Sequence, residues 1–228
     1  MTFSSQGFGS HKQEAINLLK RVISILDEYS ITNFLISGTL LGYIRHKDFI
    51  PWDDDIDLLV DTSIYDNLDR ILNSCNDINI FYKKGEKYDA IKFCFQSGHE
   101  IKTETSEEWK KFSLRPDSKY TWPFVDLFVY ETGPGIHNCA TTTIEESGGY
   151  TFSIFNPFSG MCKEPFRFFT GEEISFFHND WKKSEFFPPK RVEFLGINCS
   201  IPNNPDYFLK MNYDGNYMTE IKYTQTHK

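Results

Sequence analysis

Five aspartates, Asp53, Asp54, Asp55, Asp57 and Asp61, fall within nine residues of this chain, directly after two glycines and an Arg45-His46-Lys47 cluster, in the stretch SGTLLGYIRHKDFIPWDDDIDLLVD (37–61). Repulsion among carboxylates packed this closely must be offset, by solvent in an exposed loop or by a cation in a built site. The pattern also dictates local structure. DIDLLV (55–60) alternates as a strand, in which side chains at i and i+2 share a face. Asp55 and Asp57 therefore project together, while Ile56, Leu58 and Val60 face the other way. The apolar run NFLIS (33–37), ended by Gly38, predicts a strand that enters a helix directly over TLLGYIRHK, and Pro51 breaks the chain after it.

Around this unit the periodicities extend the order to helix, strand, helix, strand, helix. From His11 to Tyr29, Ile16, Leu19, Ile23 and Leu26 recur at helical spacing opposite Lys12, Glu14, Lys20, Asp27 and Glu28. Asp61-Thr62-Ser63 is a capping sequence for a helix with Tyr65, Leu68 and Leu72 on its inner face. AIKFCF (90–95) and FVDLFVY (124–130) read as further strands of the same sheet, separated by a polar surface excursion containing TETSEEWKK. Residues 131–165, punctuated by TGPG, SGGY and NPFSG, give no regular reading. Late strands or a hairpin follow, then a short helix around NPDYFLKMNY. A chain of 228 residues with 22 Phe and 12 Tyr is long and apolar enough for one domain with a substantial core.

Hard divalent ions such as Mg²⁺ take oxygen ligands and are held by one or two carboxylates together with substrate phosphates, a use that fits Asp55 and Asp57. A calcium loop of the EF-hand type is excluded, because counting from Asp53 its glycine and glutamate positions hold Leu58 and Ile64. Asp126 in WPFVDLFVY shares a strand face with Phe124 and Phe128. A carboxylate in such apolar company must be protonated, hydrogen-bonded or bound to a cation. It is the expected third ligand, with a buried Asp satisfied by backbone amides as the competing reading. At SGTLLG, Gly38 permits close backbone approach of a phosphate, the first helical amides point outwards, and the Thr39 hydroxyl adds a donor. Arg45 and Lys47 supply positive charge nearby, Arg45 through a planar fork suited to phosphate.

The formal charge of −8 disfavours a nucleic-acid surface. Five scattered cysteines, with no C-x-x-C pair, read as reduced thiols and not as a disulfide scaffold or zinc knuckle. No signal-peptide core and no integral membrane span is evident, so a soluble, cytoplasmic protein is expected.

Gly38-Thr39-Leu40-Leu41-Gly42, Arg45-His46-Lys47 and Phe49-Ile50-Pro51-Trp52-Asp53-Asp54-Asp55-Ile56-Asp57 together resemble the signature of the LicD family, which includes phosphocholine transferases and, more distantly, fukutin and fukutin-related protein. The resemblance resumes at Val125-Asp126-Leu127-Phe128 and over 187–217. It departs where Tyr213 is followed by Asp214-Gly215, with Tyr217 and Glu220 where the family has Trp and Pro. The resemblance implies an α/β (α+β) nucleotidyltransferase-like core over 1–228, a mixed sheet flanked by helices with a divergent acceptor-side insertion at about 131–165. It implies Mg²⁺ or Mn²⁺ on Asp55, Asp57 and Asp126, which are also the catalytic residues, and a substrate side formed by Gly38, Thr39, Arg45, Lys47 and Trp52. The implied reaction moves a phosphorylated alcohol, such as phosphocholine or ribitol phosphate, from a CDP-activated donor to a glycan hydroxyl and releases CMP. The rivals are a nucleotidyltransferase using a nucleoside triphosphate, an Asp-x-Asp glycosyltransferase, and a catalytically silent glycan-binding module.

Overall fold

The computed structural model of the chain describes residues 7–85, 89–132, 144–147, 150–153, 172–176, 179–213 and 215–220. A 3₁₀ turn, Gly9–His11, leads into α1 (Lys12–Glu28), whose apolar stripe of Ala15, Leu18, Leu19, Val22, Ile23, Ile25 and Leu26 is buried. The unit read from the sequence follows: β1 (Asn33–Leu35), α2 (Ser37–Arg45), β2 (Ile56–Asp61) and α3 (Ser63–Ser74). The Asp61 side chain accepts from the Ser63 N–H at 2.8 Å, from the Ser63 hydroxyl, and from the Thr32 N–H at 2.7 Å. Asp61 thus starts α3 and ties it to the approach to β1, a structural use that removes it from the acidic group.

Two elements differ from the sequence reading. The segment after α3 is a strand, β3 (Ile78–Lys83), and the presumed surface excursion contains a helix, α4 (Glu104–Lys110), opened by a reciprocal cap between Thr103 and Ser106. The two flank β4 (Ala90–Glu100), and β5 (Thr121–Thr132) follows. The main sheet runs β1-β2-β5-β4-β3, with β2 and β5 parallel and the other pairs antiparallel, a mixed sheet of the nucleotidyltransferase-like α/β kind. Along β5 the pleat sends Val125 and Leu127 into the core, while Phe124, Asp126 and Phe128 lie half-buried on the other face.

In the divergent segment β6 (Ile144–Ser147) and β7 (Tyr150–Ser153) pair antiparallel, and the rest of 133–165 lies outside the described residues. Strands β8 (Glu173–Phe176) and β9 (Asn179–Lys182) extend the end of β5. The chain continues through α5 (Lys183–Phe186) and the hairpin of β10 (Lys190–Phe194) and β11 (Ile197–Ile201) to α6 (Pro205–Tyr213). Cys75, Cys94 and Cys199 are buried free thiols; Cys139 and Cys162 lie outside the described residues. Among the described residues, no helix is long and apolar enough to cross a membrane.

Gly42 fixes the return of the chain from α2 towards the aspartates. A Cβ there would lie 2.6 Å from the Asp48 carbonyl oxygen and 3.2 Å from the Ile50 nitrogen, both backbone atoms that cannot rotate away. Gly42→Ala is expected to destabilise the protein by about 1–2 kcal/mol, because an overpacking cost of about 1–3 kcal/mol outweighs the helical gain of up to about 1 kcal/mol. Urea unfolding checks this, and a stabilised variant would contradict it.

Candidate active site

The register of three strands assembles the site. β2 and β5 place Asp57 opposite Asp126, and β5 and β4 place Asp126 opposite Lys92, so a row of two carboxylates and an ammonium crosses the sheet. Asp55 stands just before β2. Carboxylate oxygens of Asp55, Asp57 and Asp126 lie within 4.8 Å of one another, and so do those of Asp53, Asp54 and Asp55, which share Asp55 with the first group. Three converging carboxylates form an all-oxygen donor set of the type a hard divalent cation takes.

The start of α2 holds this row in place. The Asp57 N–H donates to the Thr39 hydroxyl at 2.8 Å, and the Ile36 N–H donates to the Asp57 carbonyl at 3.3 Å. Thr39 is buried, so its hydroxyl serves first to pin the strand at Asp57. The space left open at Gly38 is filled by Asp53: a Cβ on Gly38 would lie 2.2 Å from Asp53 Oδ2. Asp53 is thus tucked against the helix that carries the glycine.

The electrostatics follow from this crowding. Burial pushes the Asp57 carboxyl well above its ordinary range, and the charges of Asp55, Asp126 and Asp53 push it further, while Lys92 opposes them. Asp53 is raised from 3.8 to about 8, first by burial, then by the charge of Asp55 and a hydrogen bond with it. Such groups hold a proton in the folded chain that the unfolded chain has already lost. Chelated, metal-free protein is therefore expected to lose stability as pH rises from 3.8, the ordinary value for Asp53, to about 8, and to level off above that. Melting temperature against pH in a chelating buffer measures this; a curve rising through that window would contradict it.

Lys92 is the site residue that sequence reasoning missed. Its ammonium pairs with the Asp126 carboxylate, the two side chains being 12% and 16% exposed. It also lies over the Phe124 ring at 4.0 Å and the Trp109 ring at 5.1 Å. Trp109 comes from α4, the helix taken for a surface excursion. A signal was present: in AIKFCF a lysine interrupts an otherwise apolar strand, and such a lysine needs a partner. Neither reading of Asp126 offered from the sequence included this ion pair.

The basic cluster stands at the end of α2. Arg45 Nη1 donates to the Tyr217 carbonyl at 2.9 Å and the Thr219 carbonyl at 3.5 Å, and its Nε donates to His46 Nε2 at 2.9 Å. Burial and the neighbouring Arg45 hold His46 below its ordinary range, consistent with an unprotonated accepting nitrogen. Lys47 is exposed above the Tyr43 ring at 4.9 Å, and Trp52 meets His46 edge-on at 6.0 Å. Tyr213, the last residue of α6, is exposed overall, but desolvation at its hydroxyl first, then Asp57, Asp53 and Asp55, raise that group, against Arg45. The C-terminal segment thus flanks both the aspartates and the basic cluster.

A family model described as LicD/FKTN/FKRP, nucleotidyltransferase domain, matches residues 30–169, a span running from β1 through the aspartate stretch, Lys92 and Asp126. The chain belongs to this family. Among its relatives is the lipopolysaccharide cholinephosphotransferase LicD of Haemophilus influenzae, 27% identical over 125 residues that cover 52% of this chain and 42% of the relative. An uncharacterized protein of Rickettsia typhi is 29% identical over 96 residues, 33% of this chain and 31% of that protein. The matched part therefore spans less than half the length of either relative. Family membership and the carboxylate geometry together identify a LicD-type nucleotidyltransferase domain with a potential divalent-metal site.

Proposed function

We propose that this LicD-family domain is a metal-dependent transferase that moves a phosphorylated alcohol, of the phosphocholine or ribitol phosphate kind, from a CDP-activated donor to a glycan hydroxyl. The observation that carries the reading is the convergence of Asp55, Asp57 and Asp126 within 4.8 Å on a family nucleotidyltransferase domain. The name of the Haemophilus influenzae relative supports the choice of a phosphorylated alcohol. Mg²⁺ or Mn²⁺ held by the three carboxylates would neutralise charge on the donor diphosphate.

The remaining work falls to the chain. In phosphoryl-type transfer it is mostly positioning and charge compensation. Asp55 and Asp57, fixed by Thr39 and the start of β2, set where the donor phosphates lie. The α2 N-terminus backs the aspartates on the substrate side, Gly38 admitting Asp53 and Thr39 holding β2 at Asp57, and Arg45, Lys47 and Trp52 form the donor side. Asp126 takes the proton from the acceptor hydroxyl, whose oxygen bonds to the phosphorus bearing the alcohol as the bond to CMP breaks. The divergent stretch 131–165 is assigned acceptor choice, because segments carried on a rigid scaffold usually hold specificity.

Arg45 also anchors the C-terminal segment, so Arg45→Ala should raise the donor KM by roughly tenfold or more, the loss of a charge-assisted hydrogen bond of about 1.5–3 kcal/mol. An unchanged donor KM and kcat would remove Arg45 from the donor side. The reaction itself is tested by incubating the protein and Mg²⁺ or Mn²⁺ with CDP-choline, CDP-ribitol and CDP-glycerol and resolving the products. Metal-dependent CMP release is expected. Pyrophosphate release from a nucleoside triphosphate, with none from the CDP-alcohols, would replace this reading with nucleotidyl transfer, and no turnover across the panel by folded protein would favour a glycan-binding module.

A further inference from the structure

Lys92 answers a question that the three carboxylates raise: how a chain folds around them before any cation is bound. The side chain is 12% exposed, pairs with Asp126, lies over the Phe124 and Trp109 rings, and acts against the raised proton affinity of Asp57. An ammonium in so dry a setting is there for its charge, since an apolar side chain would fill the same space against Trp109 and Phe124 at lower cost. The register Lys92↔Asp126 and Asp57↔Asp126 makes Asp126 the shared member of two pairings, one with Lys92 and one with the other carboxylates.

We infer that Lys92 is a positioning residue, a built-in counter-ion that holds Asp126 in the metal-free protein and competes with the divalent cation for that carboxylate. The inference rests on the metal reading of Asp55, Asp57 and Asp126 and assigns Lys92 a tuning role at that site. Without Lys92 the carboxylates are more negative and less well compensated. Metal-free protein should then be harder to fold, while a cation should be drawn in more tightly. A lysine that served only to fill space would change neither property once its stem volume was preserved.

The test uses the full chain and two variants, Lys92→Met, which keeps the stem, and Lys92→Met with Asp126→Asn. In a chelating buffer, Lys92→Met should melt below wild type, and adding Asp126→Asn should recover most of the loss because the carboxylate that Lys92 compensated is removed. In Mn²⁺ titrations followed by electron paramagnetic resonance, Lys92→Met should bind the ion more tightly than wild type, on the order of tenfold, since one opposing charge is gone. Saturating Mn²⁺ should raise its melting temperature more than that of wild type. Mn²⁺ binding by wild type with unchanged or weaker binding by Lys92→Met would overturn the inference alone, as would a loss of metal-free stability that Asp126→Asn fails to recover. Wild-type protein that binds no Mn²⁺ would overturn the metal reading itself, and the inference with it.

Discussion

Asp57→Asn is expected to lower metal-dependent turnover by on the order of 10²–10³-fold or more, while raising the melting temperature of the metal-free protein. Both effects come from one charge. Asp57 is buried, and its carboxyl is pushed up by burial and by Asp55, Asp126 and Asp53 together, so in the absence of a cation the ionised side chain opposes folding. Asparagine keeps the shape, removes the charge, and offers an amide that the neighbouring carboxylates can accept from. The backbone anchors, the Asp57 N–H on Thr39 and the Asp57 carbonyl on Ile36, do not depend on the side chain. Turnover with saturating metal and melting in a chelating buffer measure the two effects on the same preparation. Near wild-type turnover would remove Asp57 from the catalytic group.

Asp126→Asn should match that loss of turnover and show the opposite change in metal-free stability. Lys92 pairs with Asp126, so removing this carboxylate leaves a largely buried ammonium beside a neutral amide. Truncating one partner of a buried pair costs about 3–5 kcal/mol; the partial exposure of both side chains and the nearby Asp57 carboxylate reduce the expected cost here to about 1–3 kcal/mol. The two aspartates face each other across β2 and β5 and carry the same formal charge, yet the ammonium belongs to one of them. A rise in metal-free stability with Asp126→Asn, equal to that with Asp57→Asn, would show that Lys92 does not provide the compensation described. Wild-type turnover in the same variant would remove Asp126 from catalysis.

How much of this could be read from the sequence depends on whether the information was local. The strand-glycine-helix unit, the alternation at 55–60 and the capping sequence at Asp61 are short-range patterns, and the structure carries them as β1, α2, β2 and α3. The separation of Asp126 from Val125 and Leu127 onto opposite faces of β5 was equally legible, because it needs only the two-residue pleat. β3 was missed because INIFYK is a brief apolar run that does not alternate strictly, even though NSCND (73–77) and Gly85 bound it, and its pairing with β4 supplies what local pattern lacks. α4 was missed because TETSEEWK has one large apolar residue, Trp109, and no stripe. Its cap between Thr103 and Ser106 uses serine where a glutamate or glutamine is the usual signature. That Lys92 needs a partner was legible in AIKFCF, but that the partner is Asp126, and that Gly38 admits Asp53, were not: each is a contact between segments brought together by strand register or by the loop before β2, and no spacing along the chain encodes it.

The central claim, that Asp55, Asp57 and Asp126 act as one divalent-metal centre, is tested most directly by counting bound Mn²⁺ by electron paramagnetic resonance. Wild-type protein should be compared with the Asp57→Asn and Asp126→Asn variants after each has been shown to be folded. The account predicts saturable Mn²⁺ binding to wild type that is weakened by at least roughly tenfold in each variant, since each removes a charged oxygen ligand from a set of three. Mn²⁺ binding of unchanged affinity and stoichiometry in both variants would contradict it.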